Sequence, residues 1–297
     1  MINYKYINEN LKGKTILLTG GTEGFGRSLA TELVKNQVNL IVCARSKVSI
    51  DSLIADLELV KQVGQKIYAT VTDVSNSDEV DELYENTKKK FGKVDILINN
   101  AGVIGTIDRF LDADFKKWKE SININFIGSA LMIKRFLPDM LEQKYGRIIQ
   151  LSGGGATAPL HGMSAYASSK IAIVRLIETL STEYFNSGVE FNCVAPGLLK
   201  TRLLNEMLVA GPDKIGDAFF KKTANKNGDL NDSTEKACKL IMFLCSDASK
   251  DISGKLISAE WDNWEIWPEH LNELVNSDLY TLRRITGKDR NFILGDI

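Results

Sequence analysis

Two residues four apart, Tyr166 and Lys170, carry the first chemical signal in the chain. A helix places residues i and i+4 on one face. A tyrosine phenol titrates near pH ~10, too high for ready proton transfer at neutral pH. A neighbouring ammonium favours the ionised phenol and draws that value down. The pair closes the stretch LSGGGATAPLHGMSAYASSK, Leu151 to Lys170, which opens on a serine and three glycines. Such a stretch reads either as a flexible loop or as the wall of an acid–base site. A second signal lies near the N-terminus. In TILLTGGTEGFGRSLATEL, glycines at 20, 24 and 26 separate an apolar run from a helical pattern. Glycine lets a backbone approach a pyrophosphate, and a helix N-terminus favours its negative charge.

The elements that must position these residues follow from periodicity. Apolar, β-branched runs at 15–20, 39–45, 66–74, 94–102, 146–152, 189–197 and 255–260 alternate with helical patterns. Strands that are apolar nearly throughout belong to a sheet covered on both faces. The pattern predicts an α/β fold: one doubly wound, seven-stranded parallel sheet with helices on both faces, a Rossmann-like three-layer sandwich. Both signals then fall at the carboxyl ends of strands, where such sheets bind ligands. Residues 1–260 form one catalytic domain, with a polar segment at about 201–233 as a helical lid over the substrate. An extension, 261–297, follows the last strand.

The spacing T-G-x-x-x-G-x-G, the Tyr-x-x-x-Lys pair and Asn99-Asn100-Ala101-Gly102 together resemble the short-chain dehydrogenase/reductase family, over about Lys12 to Trp261. The resemblance implies an oxidoreductase that passes hydride between NAD(P) and a carbonyl or alcohol carbon. Thr19, Gly20, Thr22, Glu23, Gly24, Phe25 and Gly26 would form the phosphate loop. Asp73 would bind the adenine amino group and Val74 would back the ring. Asn99, Ala101 and Gly102 would line the cleft. Pro196 and Gly197 would lie by the nicotinamide, and Thr201 by the phosphates. Tyr166 would be the acid–base group, its phenol drawn down by Lys170 and by the positive nicotinamide ring, and Lys170 would also hold the ribose. Asn125, in INFIG, would kink its helix and hold a water that relays protons to the lysine.

Two positions leave alternatives. The second strand ends Cys43-Ala44-Arg45-Ser46, with no acid to bind ribose hydroxyls. Arg45 can bond a 2′-phosphate, with Ser46 adding a hydroxyl, so NADP(H) is preferred. NAD(H) stays possible, because Glu23 occupies a loop position where NADP-preferring relatives often carry a base. The family's substrate-contacting serine falls on Gly153 in ungapped register. Ser152 is favoured for the role, because three glycines can absorb a one-residue shift. Otherwise Gly153 holds the position, and a substrate hydroxyl, a water or Ser164 replaces the serine.

Composition narrows the function. The net charge of −1 gives no case for nucleic acid or an anionic membrane. The polar start MINYKYINENLKGK and the lack of a long apolar run lead to the expectation of a cytoplasmic protein. Four cysteines without a C-x-x-C pair and two histidines make a metal site unexpected. Lys221 and Lys222 in the lid read as solvated, with an anionic substrate as the alternative. Trp261, Trp264 and Trp267 bring apolar area to the extension, which packs on the domain or on a partner subunit, and a homodimer or homotetramer is expected. The reading is an NADP(H)-dependent oxidoreductase acting on a small carbonyl or secondary alcohol. Its alternatives are an NAD-dependent dehydrogenase of a sugar or nucleotide-sugar alcohol and a non-catalytic dinucleotide-binding sensor.

Overall fold

A computed structural model describes residues 4–224 and 230–292. Residues 225–229 of the expected lid and 293–297 of the extension lie outside the described residues. The chain opens with helix α1 (Tyr4–Leu11), then alternates strictly: β1 (Thr15–Thr19), α2 (Gly24–Lys35), β2 (Asn39–Ala44), α3 (Lys47–Val60), β3 (Ile67–Val71), α4 (Ser77–Phe91) and β4 (Ile96–Asn99). Helix α5 (Phe115–Ile122), a π-helical turn (Asn123–Gly128) and α6 (Ser129–Gln143) form one continuous rod before β5 (Gly146–Leu151). Next come α7 (Ser164–Glu183), β6 (Val189–Ala195), three short lid helices α8 (Arg202–Ala210), α9 (Pro212–Ile215) and α10 (Asp217–Ala224), then α11 (Leu230–Cys245) and β7 (Lys255–Ser258). Helix α12 (Leu271–Val275) lies in the extension.

All seven strands are parallel, in the order β3-β2-β1-β4-β5-β6-β7. Their side chains alternate between two apolar layers. Ile16, Leu18, Leu40, Val42, Ile96 and Ile98 face α2 and α11. Leu17, Ile41, Leu97, Ile148 and Phe191 face α4, α6 and α7. Side-chain caps fix where helices begin: Ser46 accepts from the Ser49 N–H, Asn76 from Asp78, and Asp114 from Lys116 and Lys117. All four cysteines are buried thiols, and burial pushes Cys43 and Cys238 up to about 12. The strands are shorter than the apolar runs, and the carboxyl-terminal residues of the first six runs leave the sheet to line the site. The polar N-terminus nonetheless forms α1, which buries Ile7 and Leu11.

The extension folds back on its own chain. Trp264 packs on Phe243 of α11, ring centroids 5.5 Å apart, and Trp267 packs on Tyr280 at 4.4 Å. Trp261 is exposed. The Leu256 N–H on the outer edge of β7 donates to the Tyr280 carbonyl, 2.8 Å. The buried Lys255 ammonium donates to the carbonyls of Ser277 and Leu279, both at 3.0 Å. The Leu282 N–H donates to the Glu178 carboxylate of α7, 2.6 Å. No described helix is long and apolar enough to cross a membrane.

Candidate active site

The carboxyl ends of β1, β2, β4, β5 and β6 open into a cavity of about 330 Å³. Its floor is knitted by hydrogen bonds between strand ends. Thr19 Oγ1 accepts the backbone N–H groups of Asn100 (3.0 Å) and Ala101 (2.9 Å). Asn100 Nδ2 donates to the carbonyls of Thr19 (3.0 Å) and Gly20 (2.9 Å). The start of α2 is pressed onto this floor: a Cβ at Gly26 would lie 2.2 Å from the Gly20 carbonyl oxygen. Only a bare backbone fits there, and the first residues of α2, Gly24, Phe25 and Gly26, lie on the cavity wall, at the helix end whose N–H groups lack intrahelical partners.

Gly20, Thr22, Glu23, Gly24, Phe25 and Gly26 line this cavity, as do Arg45, Ser46, Asp73, Val74, Ala101, Gly102, Pro196, Gly197 and Thr201. Arg45 is exposed and has no hydrogen-bond or ion-pair partner among the described residues. The Ser46 hydroxyl is engaged as the cap of α3, and Glu23 accepts a hydrogen bond from Ser49 at 3.3 Å. Asp73 Oδ1 is taken by Ser75. Thr19 and Asn99 lie below the surface. Asn99 Nδ2 donates to the Ser129 carbonyl, 3.3 Å, and the cleft position expected of Asn99 belongs to Asn100.

Tyr166 and Lys170 form the opposite wall, on the first turns of α7. Lys170 is buried and donates to the Leu151 carbonyl at 2.9 Å. Burial lowers its ammonium to about 8. Burial likewise pushes the Tyr166 phenol up to about 12. The lysine was expected to depress the phenol. In this geometry Nζ stands 5.6 Å from the ring centroid, and desolvation of the phenolate outweighs it. Asn125 sits in the π-helical turn, a feature often found at functional sites. Its Oδ1 accepts from the Val103 N–H at 2.8 Å; its Nδ2 donates to the Val103 carbonyl at 2.9 Å and to Ser169 Oγ at 3.0 Å. Ser169 Oγ donates in turn to the Tyr166 carbonyl, 2.7 Å. Asn125 thus ties the loop after β4 to the helix carrying the Tyr–Lys pair.

The favoured register for the serine is not the one that the backbone adopts. Gly153 faces the Tyr166 hydroxyl, and a Cβ built on it would stand 2.6 Å from that oxygen. Ser152 lines the cavity as well, but its Oγ is buried and lacks a hydrogen-bond partner among the described residues. The chain leaves β5 extended through Gly153, so successive side chains keep alternating and the glycines absorb no extra residue. Ser164 Oγ accepts from the Trp118 indole N–H at 3.0 Å.

Behind Tyr166 lies an apolar cluster: Ile104, Met163, Met207 and Ile215 are buried together around the ring, with Leu203, Phe219 and Phe220 against them, and of these Leu203 and Met207 line the cavity. Two polar contacts latch the lid. Lys214 Nζ pairs with Asp108 at 2.6 Å, and its carbonyl accepts from His161 Nδ1 at 3.0 Å. Lys221 and Lys222 are exposed.

The family model for short chain dehydrogenases matches residues 14–209. The chain belongs to this family. Among curated relatives, the 3-oxoacyl-(acyl-carrier-protein) reductase of Staphylococcus epidermidis is 31% identical over 246 residues, covering 82% of this chain and 96% of the relative. Human dehydrogenase/reductase SDR family member 4 is 28% identical over 249 residues, covering 83% and 86%. Of solved structures, levodione reductase aligns with a TM-score of 0.75 at 24% identity, covering 86% of this chain and 98% of that one. The actinorhodin polyketide ketoreductase, solved with NADPH, aligns at 0.74 with 23% identity, covering 83% and 95%. This short-chain dehydrogenase is an NAD(P)-dependent oxidoreductase acting on a small molecule. Leu203 and Met207 of the expected lid reach the cleft, which also uses residues that the sequence reading passed over: Asn100, Thr72, Val103 and Leu199. Strand alternation after Ile98 was a usable signal for Asn100. The others are ordinary apolar or hydroxyl residues with no motif of their own.

Proposed function

We propose that this short-chain dehydrogenase is an NADP(H)-dependent reductase of small carbonyl compounds. The observation that carries the cofactor preference is Arg45. It is unpartnered among the described residues, on the cavity wall at the end of β2, a strand that ends without an acid; Glu23, on the same wall and bonded to Ser49, is the carboxylate that weighs towards NAD(H). The residues fit a dinucleotide. The Gly26 cradle brings N–H groups to a pyrophosphate, and the guanidinium meets a 2′-phosphate in a charge-assisted bond. The bound cofactor supplies a hydride to the substrate carbon. Tyr166 supplies the proton: its high phenol value keeps it protonated at neutral pH, which suits an acid donating to a carbonyl oxygen. The C=O π bond breaks, C–H and O–H bonds form, and Tyr166 is reprotonated from solvent. Lys170 faces the same cavity and would hold the ribose, and Asn125 would support the proton relay through the loop it anchors.

A homo-oligomer belongs to the same reading, supported by the exposed Phe110, Leu111 and Phe115. Light scattering that returns a monomer mass would remove that part. The cofactor reading is tested by thermal shift: NADPH raises the melting temperature more than NADH at equal concentration. A larger shift with NADH reverses the assignment and points to an NAD-dependent alcohol dehydrogenase.

A further inference from the structure

We infer that Gly153 is a positioning residue for Tyr166, and that its missing side chain leaves the substrate oxygen to Tyr166 without a serine donor beside it. The inference rests on the carbonyl-reductase reading and adds a substrate class to it. A Cβ at 153 would fall 2.6 Å from the Tyr166 hydroxyl, nearer than real Cβ contacts come. The phenol therefore occupies the space that a side chain at 153 would fill. Neither nearby serine compensates: Ser152 lines the cavity but its Oγ is buried, and Ser164 is bonded to Trp118.

The consequence is chemical. A second donor on a developing oxyanion is typically worth about 10²–10³ in rate. Without it, the carbonyl must arrive already polarised. An electron-withdrawing neighbour does this by lowering the charge that the oxygen must carry. Met207, packed with Tyr166, lines the cavity together with Leu199, Leu203 and Leu204, so the body attached to that carbonyl is apolar. The site selects electron-poor ketones on a hydrophobic or aromatic frame.

Two arms test this. In the first, melting temperatures are compared for wild type, Gly153→Ala, Tyr166→Phe and the double variant. A clash with the hydroxyl predicts that Gly153→Ala destabilises the wild type but not the Tyr166→Phe variant, which lacks that oxygen. An equal loss in both backgrounds overturns the positioning role. This arm needs no turnover. In the second, para-nitroacetophenone and para-methoxyacetophenone are reduced with NADPH. The nitro compound is expected to lead by about 10²-fold in kcat/KM, and equal values overturn the substrate class. Gly153→Ala and Gly153→Ser should each lose about 10²-fold in kcat while NADPH affinity stays unchanged. A Gly153→Ser protein faster than wild type shows that a serine donor is accommodated, and overturns the proposal. Failure of the wild type to reduce any ketone despite binding NADPH removes the carbonyl reading and its substrate class, while the melting cycle still decides Gly153.

Discussion

The two halves of the cleft are held by different forces. The cofactor half is fixed by directional bonds between strand ends: Thr19 to Asn100 and Ala101, and Asn100 back to Thr19 and Gly20. The substrate half is fixed by the volumes of Met207, Ile215, Phe219 and their neighbours, with two polar latches at Lys214. Bonds from a particular side chain to a backbone group tolerate little variation in sequence, whereas apolar volume can be supplied by many side chains. One half is therefore a shared device, and the other is free to specialise.

Four measurements sharpen or break that contrast. Tyr166→Phe stands where the halves meet; it should lower kcat by about 10²–10⁴ while NADPH affinity stays unchanged in a titration. A matching loss of affinity would show that the wall and the cradle are one unit. Arg45→Ala should weaken NADPH binding about ten- to hundredfold and spare NADH, since one charge-assisted bond is worth about 1.5–3 kcal/mol. Equal loss for both cofactors would deny Arg45 a phosphate. In the lid, Ile215→Val removes one buried methylene, about 0.5–1.5 kcal/mol. Proteolysis within 201–224 should quicken about two- to tenfold, with NADPH binding unchanged. The smallest effect is that of pH. Burial lowers Lys170 to about 8, so its charge is present below that value and lost above it, while Tyr166 stays protonated to about 12. The reduction rate, kcat/KM, should be flat near neutrality and half lost near pH 8. A profile flat to pH 10 would sever Lys170 from the proton transfer.

Much of the cofactor half was legible because its residues obey rules of approach. Gly26 cannot carry a Cβ, and the absence of an acid beside Arg45 is visible without coordinates. Alternation decided two other positions. Asn99 and Asn100 point to opposite sides of the β4 end, and so do Ser152 and Gly153 after β5. A sequence shows the pair but not the backbone direction that selects one member. The tyrosine's proton affinity was legible only in part, for another reason. The Tyr–Lys spacing reveals a neighbouring charge but not how far burial desolvates both groups. The lid was legible as helical and apolar, yet which side chains meet Tyr166 depends on tertiary packing. Among the tryptophans of the extension, spacing did not distinguish the exposed Trp261 from the buried Trp264 and Trp267.

The return of the extension along β7 bears on how this protein survives at high concentration. β7 ends the sheet, and a strand in that place offers its amide row to any other chain able to pair with it. Here Tyr280 takes the Leu256 amide, and Ser277 and Leu279 draw the Lys255 ammonium across the same margin. The last stretch of the chain is thus a selvedge: it finishes the woven border from within the molecule. A chain cut after Glu260 would keep all seven strands but would expose that border to its neighbours and self-associate through it.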